Sequence, residues 1–151
     1  MQNSKYSREI SVAVFIDKDK NVLLQNRTNH SKAGEKYGFF GGGIEPNETS
    51  EEALIRELKE ELNYTPNTFQ YIGSHEFIVD EESSYKGKLI KVNYFISPIT
   101  EHLLDTKVNE GVGMELVPLE KAVQGSYLSK YDVGALAPLK ETIEKYTAEL
   151  V

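Results

Sequence analysis

Cysteine is absent from the 151 residues. That removes disulfides, thiolate zinc sites and any cysteine nucleophile. Histidine is scarce, and His30, His75 and His102 lie too far apart to form a helical metal pair, so zinc is not expected. Long apolar runs are missing too: the longest, Val12 to Ile16, falls far short of the ~20 residues of a membrane helix. The opening Met1-Gln2-Asn3-Ser4-Lys5 lacks the form of a signal peptide, and a cytoplasmic location is expected. Positive charge is in deficit, with 24 acidic against 17 basic residues and a net charge of −7. This argues against binding a nucleic-acid polymer by phosphate neutralisation. An acidic chain can still handle small phosphorylated molecules where divalent cations bridge the two. What the chain does have is 39% hydrophobic residues, enough for a core and too many for a disordered segment. No repeat, low-complexity tract or proline-rich linker divides it, so residues 1–151 read as one domain.

Segment 9–16 is rich in β-branched residues and predicts a strand, residues 17–21 a turn, and 22–27 the returning strand of a hairpin. After a polar loop at 28–36, Tyr37 to Phe40 form a short aromatic strand, and Gly41-Gly42-Gly43 is expected to break regular structure. Two long strands are predicted at 68–80 and 88–97, and a short one at 114–117. Pro118 is well placed to open a helix to about Gln124, and one last amphipathic helix is predicted over 132–148. Two or three helices around a mixed sheet give an α+β class, layered as a sandwich.

The strongest local signal is a helix over 50–62. Thr49 and Glu52 have capping-box spacing, Leu54, Ile55, Leu58 and Leu62 share one arc of the wheel, and Asn63 stands where a left-handed stop belongs. The same helix places Glu57, Glu60 and Glu61 on one face beside that stripe. Like charges at i, i+4 each cost roughly 0.2–0.5 kcal/mol in an isolated helix. The natural compensation for such a cluster is a hard divalent cation, Mg²⁺ or Mn²⁺, while a wet, solvated helix face is the plainer alternative. Just upstream, the three glycines can let backbone approach a metal or phosphate closely, or serve only as a flexible turn.

In order, Gly42, Glu48 and Arg56-Glu57-Leu58-Lys59-Glu60-Glu61-Leu62-Asn63-Tyr64 resemble the Nudix box over residues 42–64, the signature of the Nudix hydrolase (MutT-like) family. The flanks agree over about residues 8–125. Asn63 stands in place of the family's glycine, Tyr64 in place of an aliphatic residue, and Phe40 in place of a proline that commonly precedes the glycine loop. The charged box positions are all present, so catalytic competence is expected.

The resemblance implies an α/β/α sandwich and metal-dependent hydrolysis of the pyrophosphate bond of a nucleoside diphosphate linked to another group X. It implies Glu57, Glu60 and Glu61 as ligands of Mg²⁺, with Mn²⁺ as substitute, a glycine carbonyl at Gly41 or Gly42 joining them, and Glu57 or Glu60 doubling as base. Arg56 is expected to pair with Glu48, or with Glu52 four residues earlier. A further acidic ligand or base is expected at Glu110 or Glu115, though each can equally be an exposed loop carboxylate. Gly41, Gly42, Gly43 and Phe39 are the candidate substrate contacts, with Tyr37, Tyr85 and Tyr127 also available for base stacking. Only Pro66 lies between Tyr64 and Ser97, which counts against ADP-ribose as substrate. A nucleotide-sensing module without turnover is the alternative. Isoprenoid diphosphate isomerisation shares the fold but needs a cysteine. The expected partner is a small nucleotide-type substrate, with no membrane; the oligomeric state is open, and a homodimer is compatible with the sequence.

Overall fold

The computed structural model describes residues 5–26, 37–80, 82–106, 113–124 and 127–150. Strands β1 (Arg8–Ile16) and β2 (Asn21–Asn26) form the expected hairpin, closed by the Asp17 carboxylate accepting from the Asp19 and Asn21 amides. β3 (Tyr37–Gly38) and β4 (Phe40–Gly43) follow, then helix α1 (Ser50–Leu62), β5 (Gln70–Ile78) and β6 (Leu89–Pro98). A one-turn helix α2 (Glu101–Leu104) precedes β7 (Met114–Pro118). The chain then forms α3 (Leu119–Ala122), α4 (Lys130–Leu136) and α5 (Lys140–Ala148).

Among the described residues the sheet is mixed and has seven strands. β1 lies at its centre, parallel to β6 along its full length; its other edge is shared antiparallel between β4, at Ile10 to Ala13, and β2, at Ile16. β5 borders β6, and β3 and β7 border β2. Successive side chains of a strand point to opposite faces, and β1 is buried on both. Val12, Val14 and Ile16 enter one core with Tyr94, Ile96, Leu136 and Ile143, beneath α3, α4 and α5. Ala13 and Phe15 enter the other with Leu54, Leu58, Leu62 and Leu103, beneath α1 and α2. Helices cover both faces, so the α+β sandwich is observed.

Two expectations are corrected. Gly41 to Gly43 do not interrupt regular structure; they are strand β4, paired with Val12, Ser11 and Ile10. The last helix is two, because Pro138 has no amide hydrogen to donate and a 3-10 turn at Ala137–Leu139 separates α4 from α5. No helix among the described residues is long and apolar enough to cross a membrane.

Helix α1 begins and ends where its sequence predicts. Thr49 Oγ1 accepts from the Glu52 amide at 3.0 Å, and Glu52 Oε1 accepts from the Thr49 amide at 2.9 Å. Asn63 adopts φ 51°, ψ 40° and donates its amide to the carbonyls of Leu58 and Lys59. Asn63→Gly is therefore expected to leave thermal stability unchanged or slightly raised, and Asn63→Val to lower it by about 1 kcal/mol or more. Paired melting curves check this, and equal midpoints for the two variants would contradict the left-handed stop. The residue after it, Tyr64, is buried edge-on against Phe15, so the aromatic replaces an aliphatic contact without opening the core.

Candidate active site

Helix α1 lies against β4 so that three successive glycines each meet a different charged side chain. The Gly41 amide donates to Glu61 Oε1 at 2.8 Å. At Gly42, a Cβ would stand 2.3 Å from Glu57 Oε2 and 2.5 Å from its Oε1, so the carboxylate occupies the space a side chain would fill. The Gly43 carbonyl accepts from Arg56 Nη2 at 2.8 Å. As β4 advances from 41 to 43, the helix contacts step back from 61 to 56. At Gly42 this match calls for glycine within a strand, because the Glu57 carboxylate fills the Cβ position.

Gly41 is fixed by more than the helix. Its φ is 145°, and a Cβ would stand 2.0 Å from the Ser11 carbonyl oxygen on β1. Ser11 is itself fully buried and donates Oγ to the Ser50 carbonyl at 2.7 Å, tying the first turn of α1 to the same strand.

Arg56 is the hub of the charged face. Nε donates to Glu48 Oε2 at 2.7 Å and Nη2 to Glu48 Oε1 at 3.0 Å, a bidentate pair. Nη1 donates to Glu60 Oε1 at 3.1 Å and lies 3.6 Å from Glu57 Oε2. The Glu48 partner is thus the one present, and Glu52 is engaged instead in the capping box. Glu48 also accepts from the Glu45 amide at 2.9 Å. The guanidinium, and after it that amide, hold the Glu48 carboxyl below the usual carboxylate range. The same pairing raises Arg56 above its ordinary value.

A depressed carboxyl stabilises the fold fully above its unfolded-state pKa and loses that contribution as pH falls through the lower folded-state value. The melting-temperature advantage of the parent over Glu48→Gln is therefore expected to shrink as pH falls from 6 toward 3. A gap that stays constant over that range would contradict the pairing.

Glu61 is only 3% exposed, so the plain reading of a solvated helix face does not hold for it. Glu60 is half exposed and Glu57 largely covered. Among the described residues, no group of three or more His, Asp or Glu side chains is gathered closely enough to hold a metal ion. The donor chemistry nevertheless suits a hard cation: oxygens only, one carboxylate buried and a second set into a glycine cradle.

Other candidates fall elsewhere. Glu115 lies on β7 opposite Leu24, whose side chain enters the core away from α1, and its Oε1 accepts from the Tyr37 hydroxyl at 3.1 Å. It is not brought to the α1 carboxylates, because strand alternation turns it to the other face. Glu110 lies outside the described residues, as does His30. Phe39, offered as a substrate contact, is 5% exposed and packs edge-on to Tyr94, which makes it part of the core. Tyr37 stacks on Tyr127 with ring centroids 5.3 Å apart. Sequence reading missed Ser11, Glu45 and Arg8, all of which border the glycine strand. No spacing rule links residues 8 or 11 to residue 43; the link is the β1–β4 pairing.

The NUDIX domain profile matches residues 7–137. Over 65 residues the chain is 38% identical to the CTP pyrophosphohydrolase of Escherichia coli (strain K12), covering 43% of this chain and 48% of that protein. Over 75 residues it is 39% identical to the 8-oxo-dGTP diphosphatase of Proteus vulgaris, covering 48% of this chain and 67% of that protein. The match to the E. coli enzyme thus spans about half of that relative's length. The fold is similar to that of the MutT protein from Methanosarcina mazei Go1, with a TM-score of 0.73 and 20% identity over 95% of this chain and 99% of that one. That likeness concerns the fold, while the profile covers most of the sequence, including the glycine strand, Glu48 and the whole of α1. The chain belongs to the NUDIX domain family.

Proposed function

We propose that the chain is a divalent-metal-dependent pyrophosphohydrolase, cleaving the pyrophosphate bond of a nucleoside diphosphate linked to a further group X. One observation carries this reading: a row of carboxylates on α1 is pressed onto a strand of three glycines, with a bidentate Arg56–Glu48 pair at its end. A row of like charges costs folding energy, and burying Glu61 adds to that cost. A fold that keeps both has a use for the charge. The names of the relatives, a CTP pyrophosphohydrolase and an 8-oxo-dGTP diphosphatase, support a nucleotide substrate.

Glu57, Glu60 and Glu61 would hold the ion, Mg²⁺ with Mn²⁺ as substitute, and the Gly42 carbonyl is a further candidate. Such an ion neutralises phosphate oxygens and acidifies bound water. The chain's own residues do the rest. The Gly41 amide fixes the orientation of Glu61, and the missing Cβ at Gly42 sets the depth of Glu57. Arg56 holds the face together and partly neutralises Glu57 and Glu60. Glu60, the most exposed of the three, is the carboxylate best placed to take a proton from attacking water.

The test is a panel of nucleoside triphosphates, nucleotide sugars, dinucleoside polyphosphates and ADP-ribose with Mg²⁺, with the phosphate products counted. Release of a nucleoside monophosphate from at least one member is expected. Nucleotide binding with no turnover of any member would favour a sensing module instead.

A further inference from the structure

Tyr85 carries two cations on one ring. The Arg8 guanidinium carbon and the Lys88 ammonium each lie 5.9 Å from its centroid. Neither cation has a carboxylate at ion-pair distance among the described residues. A second tyrosine shows what is missing: Tyr6 also carries two cations, Lys5 and Lys91, but there Glu76 stands 3.9 Å from the Lys5 ammonium. In a chain with seven more acidic than basic charges, two cations gathered on one ring without an acidic partner are out of keeping with the average environment. Two cations on one ring with no carboxylate beside them leave positive charge that an anion can offset.

The position of this pair adds the second argument. Arg8 also lies over the end of the glycine strand, where a Cβ on Gly43 would stand 3.4 Å from its Nε and Nη2. Gly43 pairs with Ile10, which shares a strand face with Arg8. Gly42, one residue earlier, has Glu57 against its opposite face. The last two residues of β4 therefore carry a catalytic carboxylate on one side and an Arg8 guanidinium on the other.

We propose that Arg8 and Lys88, flanking Tyr85 at the Gly43 end of β4, form an anion subsite for a substrate phosphate that lies beyond the bond being cleaved. The inference rests on the pyrophosphohydrolase reading and deepens it. It favours substrates with an extra terminal phosphate, nucleoside triphosphates or a phosphorylated X, over those whose X is a neutral sugar. Arg8 suits the task because its planar guanidinium can bind phosphate oxygens in pairs.

Binding of inorganic pyrophosphate is measured calorimetrically in EDTA at low ionic strength, where the α1 carboxylates repel the anion. The parent is expected to bind, with Arg8→Gln and Lys88→Gln each weakening the affinity roughly fivefold or more, and Lys59→Gln leaving it unchanged. With Mg²⁺ and a turned-over pair of substrates, Arg8→Gln is expected to raise KM for the triphosphate and not for the neutral nucleotide sugar, with kcat held. No pyrophosphate binding by the parent, parental affinity in both variants, or an equal KM rise for both substrates would overturn the subsite. Failure of the catalytic reading would show differently, as absent turnover with the pyrophosphate binding and its Arg8 dependence intact.

Discussion

Glu61→Gln is expected to cut turnover by at least about 10²-fold, since a few kcal/mol of transition-state charge stabilisation would vanish with one anionic oxygen donor. The fold should be indifferent to the change. Glu61 accepts the Gly41 amide, and the Gln carbonyl oxygen can accept it as well. The substitution also relieves the like-charge pair with Glu57, worth roughly 0.2–0.5 kcal/mol, so metal-free melting should occur at the same temperature or slightly higher. Lys59 is exposed and makes none of these contacts, which suits Lys59→Gln as the control. Loss of activity in Glu61→Gln with a parental melting curve would separate chemistry from folding. Parental turnover in Glu61→Gln, or equal loss in Lys59→Gln, would remove this face from the catalytic account.

The second large effect is on stability and comes from neighbouring glycines that should respond in opposite ways. At Gly41 a methyl group would be driven to 2.0 Å from the Ser11 carbonyl and 2.7 Å from the Val12 Cα, with φ at 145°. Backbone cannot yield there without unpairing β4 from β1. Gly41→Ala is expected to lose about 3–5 kcal/mol and much of its soluble expression. At Gly42 the obstructing atoms are the carboxylate of Glu57, the far end of a flexible side chain. Gly42→Ala should therefore fold with a loss of at most about 1 kcal/mol while Glu57 is pushed from its place. Activity should fall far more than stability. Denaturant unfolding of both variants, set beside turnover of the second, checks the contrast. Equal stability of the two would show that β4 is not held as described.

What could be read from the sequence was what local chemistry determines. Helix α1 was legible from its capping box, its apolar arc and Asn63, all interactions within about four residues. Strands β1, β2, β5, β6 and β7 were legible because β-branched and aromatic residues cluster between turn residues. The nature of Gly41 to Gly43 was not: glycine reads as a break wherever its neighbours in space are unknown, and here the neighbours are Ser11 and Val12, about thirty residues away. The division of the last helix was available in Pro138 and went unread because the apolar spacing continues on both sides of it. Helix α2 is a single turn capped by Thr100, too short to carry a periodic signal. In the site, the Arg56–Glu48 pair was visible as one of two options, and only the engagement of Glu52 in the cap decides between them. The placement of Glu115 could not be read, since one residue of strand register settles which face it takes.

The central claim is that the α1 carboxylates and the glycine strand form a divalent-cation site for pyrophosphate hydrolysis. It is tested most directly by turnover of the best panel substrate in ¹⁸O-water, first with excess EDTA and then with Mg²⁺ added back. The account predicts no product in EDTA, and on restoration of Mg²⁺ a single ¹⁸O atom in one phosphate product. Undiminished turnover in EDTA, or product without the label, would contradict it.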